Sequence, residues 1–319
     1  MGLSPVVVAV DGGGSKTDAV ALTLTGELAG RSRGPGSSPH YLGLGASVAI
    51  VDRLVREAAN GAEVVRTGLY LSGLDLETEV TAYRGAVADL PWAATGLDVD
   101  NDLFALLRAG TDEPDAVAVV CGTGMNAVGV RADGASARFL ALGAISGDWG
   151  GGQGLGSEVL FHAARELDGR GPHTLLTAAL EQELGASALK VAEEIHLGER
   201  EYSDLARLAP AVFVAADAGD AVAQALVDRT ADEVVAFVRA GLNRLDLTAC
   251  AVPVVLGGGI LQARHARLQD RIAEGLAAIA PAARLVVVSE PPIVGAALLT
   301  LAGAGGSRTA LTRARAVLH

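Results

Sequence analysis

Val6-Val-Val-Ala-Val-Asp11-Gly-Gly-Gly-Ser-Lys-Thr17-Asp-Ala-Val-Ala-Leu-Thr-Leu24 joins two strand-like runs through a polar corner packed with glycine. Val6 to Val10 is the nearly all-apolar run of a buried strand, and from Val20 the apolar residues Val20, Leu22 and Leu24 recur at period two. The spacing predicts a second strand after the glycines, which separates two kinds of phosphate loop. A Walker loop runs Gly-x-x-x-x-Gly-Lys-Ser/Thr into a helix, whereas here Ser15 precedes Lys16 and the downstream period is not that of a helix. What remains is a hairpin corner. In it Gly12, Gly13 and Gly14 let backbone N–H groups approach an anion, with the Ser15 and Thr17 hydroxyls and the Lys16 ammonium beside them. The same residues also describe an ordinary glycine-rich turn, with Lys16 a solvated surface lysine.

Outward from this corner, Thr25-Gly26-Glu27 reads as a turn and Leu28 to Arg31 as a third strand leading into the loop Gly34 to Tyr41. Val48, Val51, Leu54, Val55 and Ala58 recur at helical spacing before Gly61. Leu69 to Leu71 predicts a strand ending in the small-residue turn Ser72-Gly73, Glu77 to Ala88 a helix, and Gly96 to Asp102 a strand tip entering another helix. Such alternation implies a mainly parallel sheet whose ligand-binding side chains gather beyond the strand C-termini, where Ser72 and Asp102 lie. The opening pattern then returns: Ala116 to Cys121 runs into Gly122-Thr123-Gly124, followed by Ala127 to Val130 and the turn Ala132-Asp133-Gly134. Two copies of one unit suggest two related lobes facing each other across a cleft, divided near Glu113-Pro114. Gly147 to Gly156 reads as a flexible polar loop, capped by Ser157 into a helix Glu158 to Leu167. Helical patterns fill most of 174–245. Val252 to Leu256 predicts a strand opening onto Gly257-Gly258-Gly259, and Leu285 to Val288 precedes Pro291-Pro292 and a small-residue helix through Leu301; the tail after Gly303 is expected to fray.

The chain has 319 residues, 50% of them hydrophobic, which suffices for a large core and suggests two domains. Its net charge of −12 arises without any basic run, arguing against nucleic acid and anionic membrane as partners and for a small ligand. No stretch approaches the roughly 20 apolar residues of a membrane span, and no signal-like segment opens the chain, so a cytoplasmic protein is expected. Cys121 and Cys250 form neither a Cys-x-x-Cys pair nor a zinc pattern and read as buried free thiols. The six histidines show no metal-site spacing.

With Asp11 to Thr17, Cys121-Gly-Thr-Gly124, Gly257-Gly-Gly259 and Pro292-Ile-Val-Gly-Ala-Ala297 in this order, the chain resembles the actin-like ATPase superfamily. Within it, the chain resembles the BadF/BadG/BcrA/BcrD group that contains N-acetylglucosamine kinase. The resemblance spans residues 5 to about 303. It implies an α/β fold of two actin-like (ribonuclease H-like) lobes with a nucleotide cleft between them. Residues 1–113 would carry the acceptor loops and residues 114–319 the nucleotide loops, with a last helix free to pack back on the first lobe. It further implies that Asp11 to Thr17 and Gly122, Thr123 and Gly124 hold the phosphates of ATP and Mg²⁺, Asp11 reaching the metal through water. Gly257, Gly258 and Gly259, with the helix after Pro292, would cradle the nucleoside. Asp102, in the Asn-Asp setting before the second glycine loop, matches the family's catalytic aspartate. The sugar contacts map to Ser38, His40, Ser72, Gly73, Asn126 and Asp148.

The expected activity is ATP-dependent phosphorylation of a hexose or amino sugar, foremost N-acetylglucosamine or glucosamine; a homodimer is left open. Two departures bear on the sugar: Ser38 stands beside Pro39 where relatives often have Asn, and Gly147-Asp148-Trp149-Gly150-Gly151 replaces Gly-Asp-Glu-Gly-Ser. The lack of Cys-x-x-Cys separates the chain from the group's iron–sulfur activators. On the residues alone, the alternative reading of Asp102 is a helix N-cap, and that of Asp148 a loop-stabilising side chain. The rival readings are a non-catalytic nucleotide switch and a sugar sensor that keeps the fold without turnover.

Overall fold

The apolar runs flanking the first glycine corner form strands β1 (Val6–Gly12) and β2 (Lys16–Thr23), paired antiparallel with Asp11 opposite Asp18 and Gly12 opposite Thr17. The computed structural model describes residues 3–319. With β3 (Leu28–Pro35), β4 (Val64–Leu71) and β5 (Leu97–Asn101) they make a sheet of order β3-β2-β1-β4-β5, in which β1, β4 and β5 run parallel. β1 reads as a continuous apolar run because both faces are covered. Val6, Val8 and Val10 pack with Val51, Leu54 and Val55 of helix Leu44–Ala59 and Tyr83 of helix Glu77–Val87. Val7 and Ala9 pack with Val294, Ala297 and Leu298 of helix Pro292–Gly303.

The second copy has the same construction. Strands β6 (Ala116–Cys121), β7 (Met125–Val130), β8 (Ser136–Arg138), β9 (Pro253–Gly257) and β10 (Arg284–Val287) take the order β10-β9-β6-β7-β8, the first sheet's order repeated. Between β8 and β9 this copy carries helices Gly151–Leu167, Leu176–Leu184, Ala188–Leu197, Ala209–Asp217 and Ala221–Arg244. Among the described residues no single helix is long and apolar enough to cross a membrane.

The chain divides into two compact units, Met1–Ala118 with Val288–His319, and Val119–Val287. This differs from the division at 113/114: the break falls inside β6, and the whole C-terminal segment belongs to the first unit. The reason is backbone approach. A side chain at Gly295 would fall on the Ala105 carbonyl of helix Asp102–Gly110, so the small residues of Pro292–Gly303 let two helices pack closely against β1 and β4. The tail does not fray either. Ser307 caps helix Arg308–Leu318 by accepting from Ala310 N at 3.2 Å, and Ala310, Ala314 and Leu318, spaced by four, are buried.

The stretch Gly147–Gly156 is also ordered more than expected. Its helix starts at Gly151, and Ser157 lies inside that helix, donating to Gln153 O at 2.8 Å instead of capping it. These glycines serve packing: a Cβ at Gly151 would strike the backbone of Gly124, and one at Gly156 that of Leu205. Cys121 is buried, with its thiol pushed up to about 12 by burial, but Cys250 is exposed, contrary to expectation.

Candidate active site

Register places the ends of β1, β4 and β5 side by side, with Gly12 opposite Leu71 and Leu71 opposite Asn101. One residue further on stand Gly13, Ser72 and Asp102. Ser72 N donates to Gly12 O at 2.8 Å, and the Ser72 hydroxyl is buried without a hydrogen-bond partner among the protein groups. Asp102 opens its helix but does not cap it. That role belongs to Asn101, whose Oδ1 accepts from Leu103 N at 3.0 Å while its Nδ2 donates to Asp75 Oδ1 at 2.9 Å. Asn101 thus caps the helix and holds the Asp75 carboxyl group at once. Burial, reinforced by the charge of Asp75, pushes the Asp102 carboxyl up to about 7, against hydrogen bonds from its own amide and that of Leu103. Asp11 is pushed up to about 8 by burial and by the charges of Asp102 and Asp18, with Lys16 acting in the opposite direction. Asp100 is turned to a different task, accepting from Asn101 N at 2.7 Å and acting on buried Tyr70.

The first hairpin mixes exposed and buried residues. Gly14, Ser15 and Lys16 are exposed at its tip, and Lys16 lies 3.5 Å from Asp18. The Thr17 hydroxyl is fully buried and lies 2.8 Å from both Pro35 O, to which it donates, and Ser37 Oγ, so it faces the fold. Gly12 is likewise a packing glycine, since a Cβ there would fall on the Leu71 and Ser37 side chains. Gly13 N donates to Lys16 O at 2.9 Å, closing the turn.

The loop after β3 is held by a buried polar chain that the sequence did not announce. Ser47 Oγ donates to Ser37 O and meets Tyr83 Oη at 3.0 Å, so Thr17, Ser37, Ser47 and Tyr83 tie the hairpin to two helices. Ser38 is buried next to this hub and, with His40, borders Gly73, whose φ of +78° suits glycine. His40 Nε2 pairs with Glu79 Oε1 at 2.8 Å, and Glu79 Oε2 accepts from the Asp75 and Leu76 amides. Burial works against the Glu79 charge, but these bonds hold it below the usual range. His40, Asp75 and Glu79 are close enough to hold a cation, although no histidine spacing foretold it. With both Glu79 oxygens engaged, the group reads as a clamp on the loop.

In the second unit, β6 and β9 are neighbours, and a Cβ at Gly258 (φ +85°) would strike the Cys121 backbone. This contact sets the Gly122–Gly124 and Gly257–Gly259 loops beside each other. Gly122, Gly124 and Gly259 face open space, with no atom within 4 Å of an added Cβ. Helix Gly151–Leu167 satisfies its first amides on the hairpin, Gly152 N donating to Gly122 O at 2.7 Å and Gln153 N to Thr123 O at 2.9 Å. Thr123, Gly124, Asp148 and Trp149 border a cavity of about 370 Å³. Asp148 is bonded to the Ser146 hydroxyl, and Asn126 Oδ1 accepts from Ala127 N at 2.7 Å. Trp149 is locked: Nε1 donates to Glu158 at 2.9 Å and the Arg229 guanidinium lies 4.1 Å from its ring centroid.

Two glycine hairpins on sheets of one strand order, one of them flanked by carboxyl groups, match a known pattern: the BadF/BadG/BcrA/BcrD ATPase family model fits residues 8–300. The chain belongs to that family. Among its relatives, N-acetyl-D-glucosamine kinase of Dictyostelium discoideum is 27% identical over 312 residues, covering 93% of this chain and 98% of that protein. The crystal structure of a putative N-acetylglucosamine kinase from Chromobacterium violaceum superposes with a TM-score of 0.72 at 26% identity, covering 93% of this chain and 99% of that one. A ROK family glucokinase from Streptomyces griseus, with a TM-score of 0.52, 16% identity and coverage of 92% and 99%, shares the fold alone. The α/β fold is therefore that of the actin-like sugar kinases.

Proposed function

We propose that this family member is an ATP-dependent sugar kinase whose acceptor is a hexose or amino sugar, with N-acetylglucosamine and glucosamine the first candidates. The observation that carries the reading is the strand-end edge of the first unit. There Ser72, with its unpartnered buried hydroxyl, and Asp102 stand side by side one residue beyond the paired Leu71 and Asn101, and Asp11, near the end of the neighbouring β1, feels the charge of Asp102. Ser72, Gly73, Ser38 and His40 bind and orient the sugar, and Asp102 accepts the proton of the hydroxyl that attacks the γ-phosphate. Gly13 and Gly14, with Lys16, and the open glycines Gly122, Gly124 and Gly259 hold the nucleotide. Asn126 and Asp148 complete the sugar contacts.

The carboxyl groups fit Mg²⁺. Burial, and then the charges of Asp102 and Asp18, raise the proton affinity of Asp11, and a divalent cation favours the charged form that they disfavour. Asp11 would hold it, through water, and when bound the ion neutralises phosphate charge as the transition state forms. The test is a coupled assay of ADP formation over a panel of sugars, with mass spectrometry of the products. ATP consumption should depend on sugar and yield a sugar monophosphate; ATP turnover indifferent to every sugar would establish the switch reading instead.

A further inference from the structure

At the far end of helix Asp102–Gly110 from Asp102 lies a larger cavity, of about 590 Å³, bordered by Arg108, Arg308, Arg315, Asp112, Leu298 and Leu311. In a chain of net charge −12, the convergence of three guanidinium groups needs a reason. Local ion pairing supplies only part of one. Arg108 pairs with Asp112 at 2.6 Å, and Arg315 with Glu290 at 2.6 Å and Asp112 at 2.9 Å. Arg315 also donates to Ala109 O at 3.0 Å and Arg108 O at 3.3 Å, capping the last turn of the helix. Arg308 makes no ion pair among the described residues, so positive charge is left over.

The lining is regular. Arg308, Leu311, Thr312 and Arg315 recur along one face of helix Arg308–Leu318, and Leu298, fully buried from solvent elsewhere, supplies an apolar floor. Guanidinium groups match the planar, bidentate demand of a phosphate better than any other side chain. The volume greatly exceeds that of orthophosphate and lies in the range of sites for small organic ligands. We propose that this cavity binds a phosphate monoester of a small polyol, a sugar phosphate, with its phosphate on Arg308 and Arg108, Arg315 holding the helix end in place, and its carbon frame over Leu298 and Leu311. The choice of a sugar over a nucleotide as the esterified body rests on the proposed reaction, which forms a sugar phosphate. The phosphate recognition rests on the cavity alone.

Binding is measured by calorimetry on the full chain without ATP, using glucosamine 6-phosphate, inorganic phosphate and AMP as probes, on the wild type and Arg308→Glu. Arg308 is exposed and unpaired, so its variants should keep the wild-type melting temperature and basal turnover. Glucosamine 6-phosphate should bind the wild type more tightly than the other two probes, and Arg308→Glu should weaken it by about tenfold or more, with Arg308→Ala intermediate. Equal affinity in wild type and Arg308→Glu would overturn the site. An Arg308-dependent preference for AMP or for bare phosphate would overturn the sugar-phosphate assignment. None of these measurements needs turnover, so the site can fail while the kinase reading stands, and the reverse.

Discussion

At the first glycine hairpin a methyl group added to Gly12 would fall on Leu71 and Ser37, whereas at Gly122 and Gly124 of the second it would meet nothing within 4 Å. The first is hemmed in by its own fold: Thr17 is buried, Ser37 is hydrogen-bonded beneath it, and Asp11 and Asp18 face each other across the strands. The second presents bare backbone next to Gly259. The same strand order therefore serves two ends. One copy positions charged side chains with little freedom, and the other keeps its glycines clear of side chains, the feature on which the proposed nucleotide contact rests.

The largest expected effect lies on the charged side. Asp102→Asn should lower kcat by on the order of 10² or more, since the amide cannot accept the proton. Because Asn101 supplies the cap, the variant should fold normally by circular dichroism. Asp100→Asn is the control and should be mild, as Asp100 is directed to Asn101 N and Tyr70. Wild-type turnover in Asp102→Asn with a large loss in Asp100→Asn would place the acceptor on the other carboxylate.

Next come the glycines themselves. Gly12→Ala overpacks a buried site and should destabilise the protein by about 1–3 kcal/mol in denaturant unfolding. Gly122→Ala should change stability by less than about 0.5 kcal/mol yet raise the KM for ATP, because the new methyl group occupies ligand space. If both variants behaved alike, the contrast between the hairpins would collapse.

Much of this contrast was legible in the sequence, because a strand's period and a glycine run are local signals. The hairpins, the repeat, and the strand-end positions of Ser72 and Asp102 follow from them. What stayed hidden was set by tertiary neighbours. Thr17 looked like part of a phosphate loop, and only Pro35 and Ser37 show its hydroxyl turned inward. Gly151 and Gly156 looked like flexibility and are close approaches of backbones. Asp75 was missed although it stands two residues after Gly73; a carboxylate in a small-residue strand-end turn was the available signal. Ser37, Ser47 and Tyr83 carried no pattern at all, since a buried polar chain joins residues distant in sequence.

The pH dependence of stability separates the hairpins more gently. The folded pKa values of Asp11 and Asp102, about 8 and about 7, lie above the unfolded value near 3.9. The folded state favours their neutral forms, so this contribution is fully present below about pH 4 and is lost as pH rises through 7 to 8. Both groups retain some solvent access, and the effect should be on the order of 1–2 kcal/mol. In the absence of Mg²⁺, melting temperature between pH 5 and 8 should therefore fall more for the wild type than for Asp11→Asn, and Mg²⁺ should offset the fall. Parallel melting curves for the two proteins would remove the repulsion at the first hairpin.

The smallest effect belongs to the exposed tip of the second hairpin. Thr123→Val removes one hydroxyl and keeps the branched shape, and Thr123 is solvent-exposed where it borders the 370 Å³ cavity. Its carbonyl, which accepts from Gln153 N at 2.9 Å, is unaffected, so the docking of helix Gly151–Leu167 should persist. A single hydrogen bond to a charged phosphate is worth about 1.5–3 kcal/mol when buried and less when water competes, so a rise of about three- to tenfold in the KM for ATP is expected, with unchanged unfolding. The KM for sugar should not move, because the proposed acceptor contacts are other side chains. A change confined to the sugar KM would instead assign the Thr123 tip to the acceptor, and the open hairpin would then not be a nucleotide platform.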